Sequence, residues 1–258
     1  MTIARPLFPC RQWLAACALG VLAQAAVAQN TAYIGLNVGA TDDGYKGVGI
    51  KTRVLPGLAV QTERFTLRGT SAEYLLTDPA NRGFSINLRA DALLQGYKAS
   101  DDALFAGMAT RKNSLLVGVG SKFLTPVGQL WLEAGTDVLG ASKGLRTEVG
   151  MGWRIDSNTF VGKWSLTPYV SAQHNSAKLV NYYYGVSANE ATATRPAYTA
   201  GAATNFNLGL SAATNLGEST RLVLGARYRG YGASIRQSPL IDSAGSLSGS
   251  ASVLYRLP

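Results

Sequence analysis

The sequence predicts an all-β fold: a transmembrane antiparallel up-and-down β-barrel of about 12 strands, with 10 also compatible. Three observations predict it. Segments of roughly 9–12 residues alternate apolar and polar side chains with a period of two, the length a tilted strand needs to cross a bilayer. No apolar run after residue 28 is long enough to cross as a helix, and Gly, Ser, Asn and Thr interrupt every helical pattern. The first 28 residues read as an export signal, which places the working chain beyond the inner membrane.

The export signal is residues 1–28, a signal peptide expected to be cleaved. Arg5 and Arg11 form a basic leader, the run from Trp13 to Ala23 is apolar but too short to span, and Ala26-Val27-Ala28 is a small-x-small cleavage signature. The mature domain is then residues 29–258, 230 residues long. A lipoprotein reading of Leu14-Ala15-Ala16-Cys17 leaves only five residues between Arg11 and Cys17, short for an apolar core. Both cysteines, Cys10 and Cys17, lie in the signal, so the mature chain offers no disulfide, Cys-based metal site or thiol nucleophile. Losing Arg5 and Arg11 takes the formal charge from +9 to +7. In an exported protein that basic balance suits anionic lipopolysaccharide, murein or solvated loops, and no nucleic acid is expected.

Twelve strands are expected, over residues 32–40, 46–54, 58–69, 84–97, 114–125, 128–139, 144–155, 164–176, 179–186, 199–216, 220–231 and 246–257. The clearest is the seventh, where Leu145, Thr147, Val149, Met151, Trp153 and Ile155 point one way and Arg146, Glu148, Gly150, Gly152, Arg154 and Asp156 the other. Residues 84–92, 129–138, 205–212 and 221–229 divide in the same manner. A soluble sandwich alternates too. Here, however, the polar face mixes glycines with charges of both signs, as the interior of a narrow barrel does. Arg89, Asp91, Lys122, Glu133, Asp137, Arg146, Glu148 and Arg154 are therefore expected in the lumen, lining a pore or forming a salt-bridged plug. The final segment presents Ala251, Val253, Tyr255 and Leu257 as an outward ladder, and Tyr182, Tyr183, Tyr184, Tyr198, Tyr228, Tyr231 and Tyr255 fall near strand ends, where aromatic girdles form.

Counting back from a periplasmic C-terminus puts loops 187–198 and 232–245 outside, and the turns near 215–217 and 142–144 in the periplasm. The same parity puts the longer segment 98–113 in the periplasm.

No constellation for catalysis emerges, so no enzyme, cofactor or metal is expected. The only histidine, His174, is predicted at a periplasmic strand end, with Asp101-Asp102 at that end and Asp42-Asp43 at the other. No base, nucleophile and oxyanion donor come together. The acid pairs lack the ligand spacing of a calcium loop, and Gly35, Gly39, Gly118 and Gly120 form no phosphate loop.

Particular strings then resemble the MipA/OmpV family. They are Asp43-Gly44-Tyr45, Gly83-Phe84-Ser85-Ile86, Ser100-Asp101-Asp102-Ala103-Leu104 with Gly107-Met108, Tyr182-Tyr183-Tyr184-Gly185-Val186, Arg195-Pro196-Ala197-Tyr198, Leu208-Gly209-Leu210-Ser211-Ala212 and Ser238-Pro239-Leu240, in that order. The resemblance implies an outer-membrane scaffold in cell-wall growth. Its partners would be a murein hydrolase (a lytic transglycosylase), a bifunctional murein synthase, and outer-membrane lipid and lipopolysaccharide. On that reading Asp101, Asp102, Leu104 and Met108 are the candidate partner contacts, from a periplasmic 98–113 segment. A small solute channel, or an adhesin acting through outer loops, are the alternatives.

Overall fold

The computed structural model describes residues 30–258 apart from Arg82, Phe160 and Val161; the expected signal, residues 1–28, lies outside the described residues. Among the described residues there are thirteen strands: β1 (Thr31–Asp42), β2 (Lys51–Gln61), β3 (Phe65–Arg68), β4 (Ser71–Leu75), β5 (Phe84–Leu93), β6 (Ser114–Thr125), β7 (Gly128–Asp137), β8 (Leu145–Gly152), β9 (Ile155–Thr159), β10 (Gly162–Asn175), β11 (Ala203–Asn215), β12 (Thr220–Gly230) and β13 (Gly245–Arg256). Two short helices, α1 (Ala177–Tyr184) and α2 (Ala233–Arg236), sit between strands.

All pairings are antiparallel and, apart from β8 with β10, join sequence neighbours, while β1 closes on β13 from Tyr33↔Arg256 to Asp42↔Leu247. The result is a closed 12-strand barrel, because β8 and β9 occupy one position in the ring against β10. Their interruption at Trp153-Arg154 falls opposite Thr167-Pro168 with the register unchanged on either side. Proline has no N–H to give to a ladder, so the pairing lapses there.

The period-two pattern divides inside from outside as expected. Outward side chains such as Leu36 (61% exposed), Leu208 (61%) and Phe206 (66%) form an apolar belt that the rest of the chain does not cover. A soluble monomer rarely exposes so large a contiguous apolar surface, whereas hydrocarbon is its natural solvent. Most inward positions are small or polar, with Leu55, Val223 and Leu254 among the larger apolar exceptions, and glycine there makes room for rings: a Cβ on Gly150 would strike the Trp131 indole, and one on Gly209 the Tyr169 ring.

The strand count agrees with expectation only because two errors cancel. Residues 179–186 are not a strand: Ser176 caps a helix, accepting from the Leu179 amide, and Gly185 ends it. The missing strand is β4, joined to β3 by a two-residue turn in which Gly69 has φ 58° and Arg68 pairs with Ser71. The expected strands 46–54 and 58–69 are instead β2 and the short β3, which pairs with β2 only over Ala59–Gln61. Among the described residues the upper part of β2, residues 51–57, thus has a neighbour on one edge only, β1. The amide of Gly69 donates to the Leu58 carbonyl, so even-numbered positions of β2 turn their backbone groups toward this open edge. Pro56, which lacks the donor that would be left unpaired, is placed accordingly.

Replacing the false strand by a helix reverses the expected side of everything between β4 and α1. Segments 98–113 and 138–144 lie at the same end as loops 43–50, 187–198 and 231–244, not at the periplasmic end. The opposite end holds the chain termini and brief turns such as those at 62–64, 126–127 and 216–219. Short turns face the periplasm in barrels of this class, so the long loops face outward.

Candidate functional site

Four of the long outer loops converge into a lid with a hydrophobic core of its own. Tyr45, Tyr97, Phe105, Tyr183, Tyr184 and Tyr231 reach it from four different loops, and Phe105 and Tyr183 are completely buried. Tyr97 and Phe105 stack at 4.2 Å, Tyr45 meets Phe105 edge-on at 5.2 Å, and Tyr184 meets Tyr45 at 5.9 Å and Tyr231 at 6.1 Å. Rings from opposite sides of the barrel therefore touch across its mouth. Burial pushes the Tyr97 hydroxyl up to about 12 against the opposing pull of Arg111, and pushes Tyr45 and Tyr184 well above their ordinary value. These hydroxyls stay neutral at any physiological pH.

Polar side chains bind the loops to one another. The Arg195 guanidinium, 5% exposed, donates to the carbonyls of Leu104, Ala106 (3.0 Å) and Glu190 (2.7 Å), joining segment 98–113 to segment 187–198. Glu190, also 5% exposed, accepts from Arg111 Nη2 (2.9 Å), the Ala109 amide (2.7 Å) and the Ser187 amide and hydroxyl (3.1 and 2.7 Å). Burial works against its charge, yet these donors outweigh it and hold the carboxyl at about 2. Ser238 donates to the Tyr184 carbonyl at 2.6 Å, Tyr198 to Ser234 at 2.8 Å and Tyr231 to Asp43 at 2.7 Å.

Most of the strings that carried the family resemblance meet here. Tyr45, Leu104, Met108, Tyr183, Val186, Arg195, Tyr198 and Leu240 lie far apart in the sequence and all belong to the lid. The exceptions are Gly83-Phe84-Ser85-Ile86 and Leu208 to Ala212, which are barrel wall. Of the expected girdle tyrosines, only Tyr228 and Tyr255 are exposed on the barrel's outer face, while Tyr183, Tyr184 and Tyr231 are lid core with Tyr182 and Tyr198 packed against it.

The four candidate contacts are correspondingly redistributed. Met108 is buried in the lid core, and Leu104 packs against it. The Asp102 carboxylate caps a 3₁₀ turn by accepting from the Leu104 amide (2.8 Å), and Asp101 accepts from the Lys98 amide (2.9 Å). All four sit at the outer end, so they are not a periplasmic docking element. His174 is also at the outer end, together with Asp42-Asp43 and Asp101-Asp102, contrary to the expected separation. Its exposed ring pairs with Thr204 Oγ1 at 3.0 Å, whereas Asp43 lines the lumen, on the other face of the wall.

Beneath the lid the lumen is charged. Arg89 pairs with Glu73 at 2.5 Å, Glu133 at 2.7 Å and Asp91 at 3.0 Å, and Lys122 completes the group through Glu73. This cluster braces one wall, but it does not fill the bore. A cavity of about 350 Å³ lies directly under the lid, followed by voids of about 420 and 1030 Å³ toward the periplasmic end. Thr70 and Leu94 line all three, so the voids form one continuous interior. Sequence alternation located this lining, including Arg146 and Glu148, but gave no sign that loops close above it.

Comparison with known proteins agrees with this architecture. The family model described as "MltA-interacting protein MipA" matches residues 34–257. The MltA-interacting protein of Escherichia coli K12 is 27% identical over 232 residues, covering 88% of this chain and 92% of that protein. Outer membrane protein OmpV of Vibrio cholerae is 29% identical over 177 residues, covering 68% of this chain and 67% of that protein. Among solved structures, the NanC porin superposes with a TM-score of 0.44 at 10% identity, covering 87% of this chain and all of that one, an overlap from which nothing about the lumen follows. The closed barrel, its lipid-facing belt and a family match over nearly the whole described chain lead to one conclusion: the protein is an outer-membrane β-barrel belonging to the MipA (MltA-interacting protein) family.

Proposed function

We propose that the barrel is a non-enzymatic membrane anchor in cell-wall growth, holding a murein-cutting lytic transglycosylase and a murein synthase at the inner surface of the outer membrane. The observation that carries this reading is the lid: a packed aromatic core lies across the outer mouth, so among the described residues the interior opens toward the periplasmic end. The relative named MltA-interacting protein, matched over most of its length, supports the same reading. Docking then belongs to the periplasmic rim, where Arg64, Glu218 and Arg256 are exposed, and not to segment 98–113.

The test is affinity recovery of a lytic transglycosylase from envelope extracts using two variants. Replacing turns 62–64 and 216–219 with Gly-Ser sequences should abolish recovery, while removing residues 98–110 should leave it intact. Equal recovery from both, with the barrels folded, would exclude the periplasmic rim. A solute channel requires the lid to open, and single-channel recording on the unmodified protein distinguishes it: the scaffold reading expects no stable openings.

A further inference from the structure

The cavity under the lid has a charge arrangement that structural needs do not explain. On one wall Glu133 and Glu148 stand directly opposite one another in the β7–β8 ladder. Like charges at such a position destabilise a sheet. Arg89 pairs with Glu133, and Arg146, which lines the same cavity two residues from Glu148, gives its Nε–H to Asn175 at 3.1 Å; among the described residues no cation forms an ion pair with Glu148, which accepts from Gln173 Nε2 at 2.8 Å. Gln173 is 4% exposed, and its Oε1 has no donor. The amide cannot be reversed to cure this, since that would set Oε1 against the Glu148 carboxylate.

Across the same cavity stand Arg53 on β2 and Arg227 and Arg229 on β12, with Asp43, just past β1, between them in the ring. Among the described residues none of the three is in an ion pair with a carboxylate, and Arg229 gives only its Nε–H to Asn207 at 3.2 Å. Charges of opposite sign could have neutralised each other by contact, as Arg89 does with its three carboxylates. Here Glu148 and the three arginines line a cavity of about 350 Å³ without touching one another. Glu148 and the three arginines thus keep acceptor and donor positions that face the cavity and are not used up by one another.

We propose that this cavity is a binding site for a small zwitterion, an amino acid or short peptide with a free ammonium and a free carboxylate. The ammonium donates to Glu148 and Glu133, which line the cavity. The carboxylate accepts from Arg227, Arg229 and Arg53, for which the guanidinium fork is suited. The volume is within the range of small-ligand pockets. Entry is from the periplasmic side, through the continuous voids, since the lid covers the other end. The site is independent of the scaffold reading, because it requires no protein partner.

The experiment is calorimetric titration of the full barrel, folded in detergent micelles, with triglycine, N-acetyl-triglycine and triglycine amide. Triglycine should bind, and removing either terminal charge should weaken binding by about tenfold or more, the scale of one lost charge-assisted contact. Glu148→Gln should then reduce affinity for triglycine and the amide but not for the acetylated peptide. Arg227→Gln should reduce affinity for triglycine and the acetylated peptide but not for the amide. No detectable triglycine binding at about 10 mM, a weak limit of about 3 kcal/mol, would overturn the proposal. Equal binding of all three peptides would overturn it as well, and that comparison needs no variant to fold.

Discussion

Glu190 is the polar keystone of the lid, and its loss should open the lid without unfolding the barrel. Its carboxyl is held at about 2, against an ordinary value of 4.5, by Arg111, the amides of Ala109 and Ser187 and the Ser187 hydroxyl, in spite of burial. A displacement of about 2.5 pH units corresponds to roughly 3 kcal/mol favouring the closed lid, and about 2 kcal/mol after allowance for solvent near the loop surface. Because the folded value is depressed, this stabilisation is present in full above about pH 4.5 and is lost progressively as the pH falls toward 2. Glu190→Gln removes the same charge at neutral pH, so about 2 kcal/mol should raise the open population roughly 30-fold. Hydrogen exchange on the protein in lipid vesicles reads this directly, at the amides of Ala109, Val186 and Tyr198, with strand amides as internal reference. Lid amides should lose protection by about that factor in the variant, and the wild type should show the same loss on acidification. Unchanged lid protection in Glu190→Gln, or equal loss in the strands, would refute the reasoning.

Two further outcomes follow from the wall. Leu36→Arg puts a charge into the lipid belt and should cost about 2–4 kcal/mol of folding stability in urea titrations from vesicles, while Asn37→Arg, one residue on and facing a void, should cost under about 1 kcal/mol. Similar costs for the two would contradict the assigned faces. Gly150→Ala drives a methyl group into the Trp131 indole and should destabilise by about 1–3 kcal/mol, with Trp131→Ala in the same chain recovering most of it; no coupling between the two would show that the ring lies elsewhere.

The wall was legible in the sequence because each strand records its two solvents residue by residue: Leu145 and Val149 outside, Arg146 and Glu148 inside. The lid was not legible as a unit. Its core is assembled from side chains as distant as Tyr45 and Leu240, and no local period relates them. Residues 179–186 misled because three consecutive tyrosines favour strands on propensity, whereas the fold here is set by the Ser176 cap, the Gly185 stop and burial of Leu179, Val180 and Tyr183. That single substitution of helix for strand reversed the side assigned to segment 98–113, and with it the proposed docking site. The Gly69-Thr70 turn was visible in principle, as glycine at the first position of a two-residue hairpin loop, but the strands it joins are only four and five residues long.

The outward lid is tested most directly by labelling intact cells with a membrane-impermeant maleimide. Ala106→Cys, exposed on segment 98–113, should react on intact cells, and Glu218→Cys, exposed on the β11–β12 turn, should react only after the outer membrane is permeabilised. The reverse pattern would place the lid in the periplasm and overturn both the orientation and the proposed mode of anchoring.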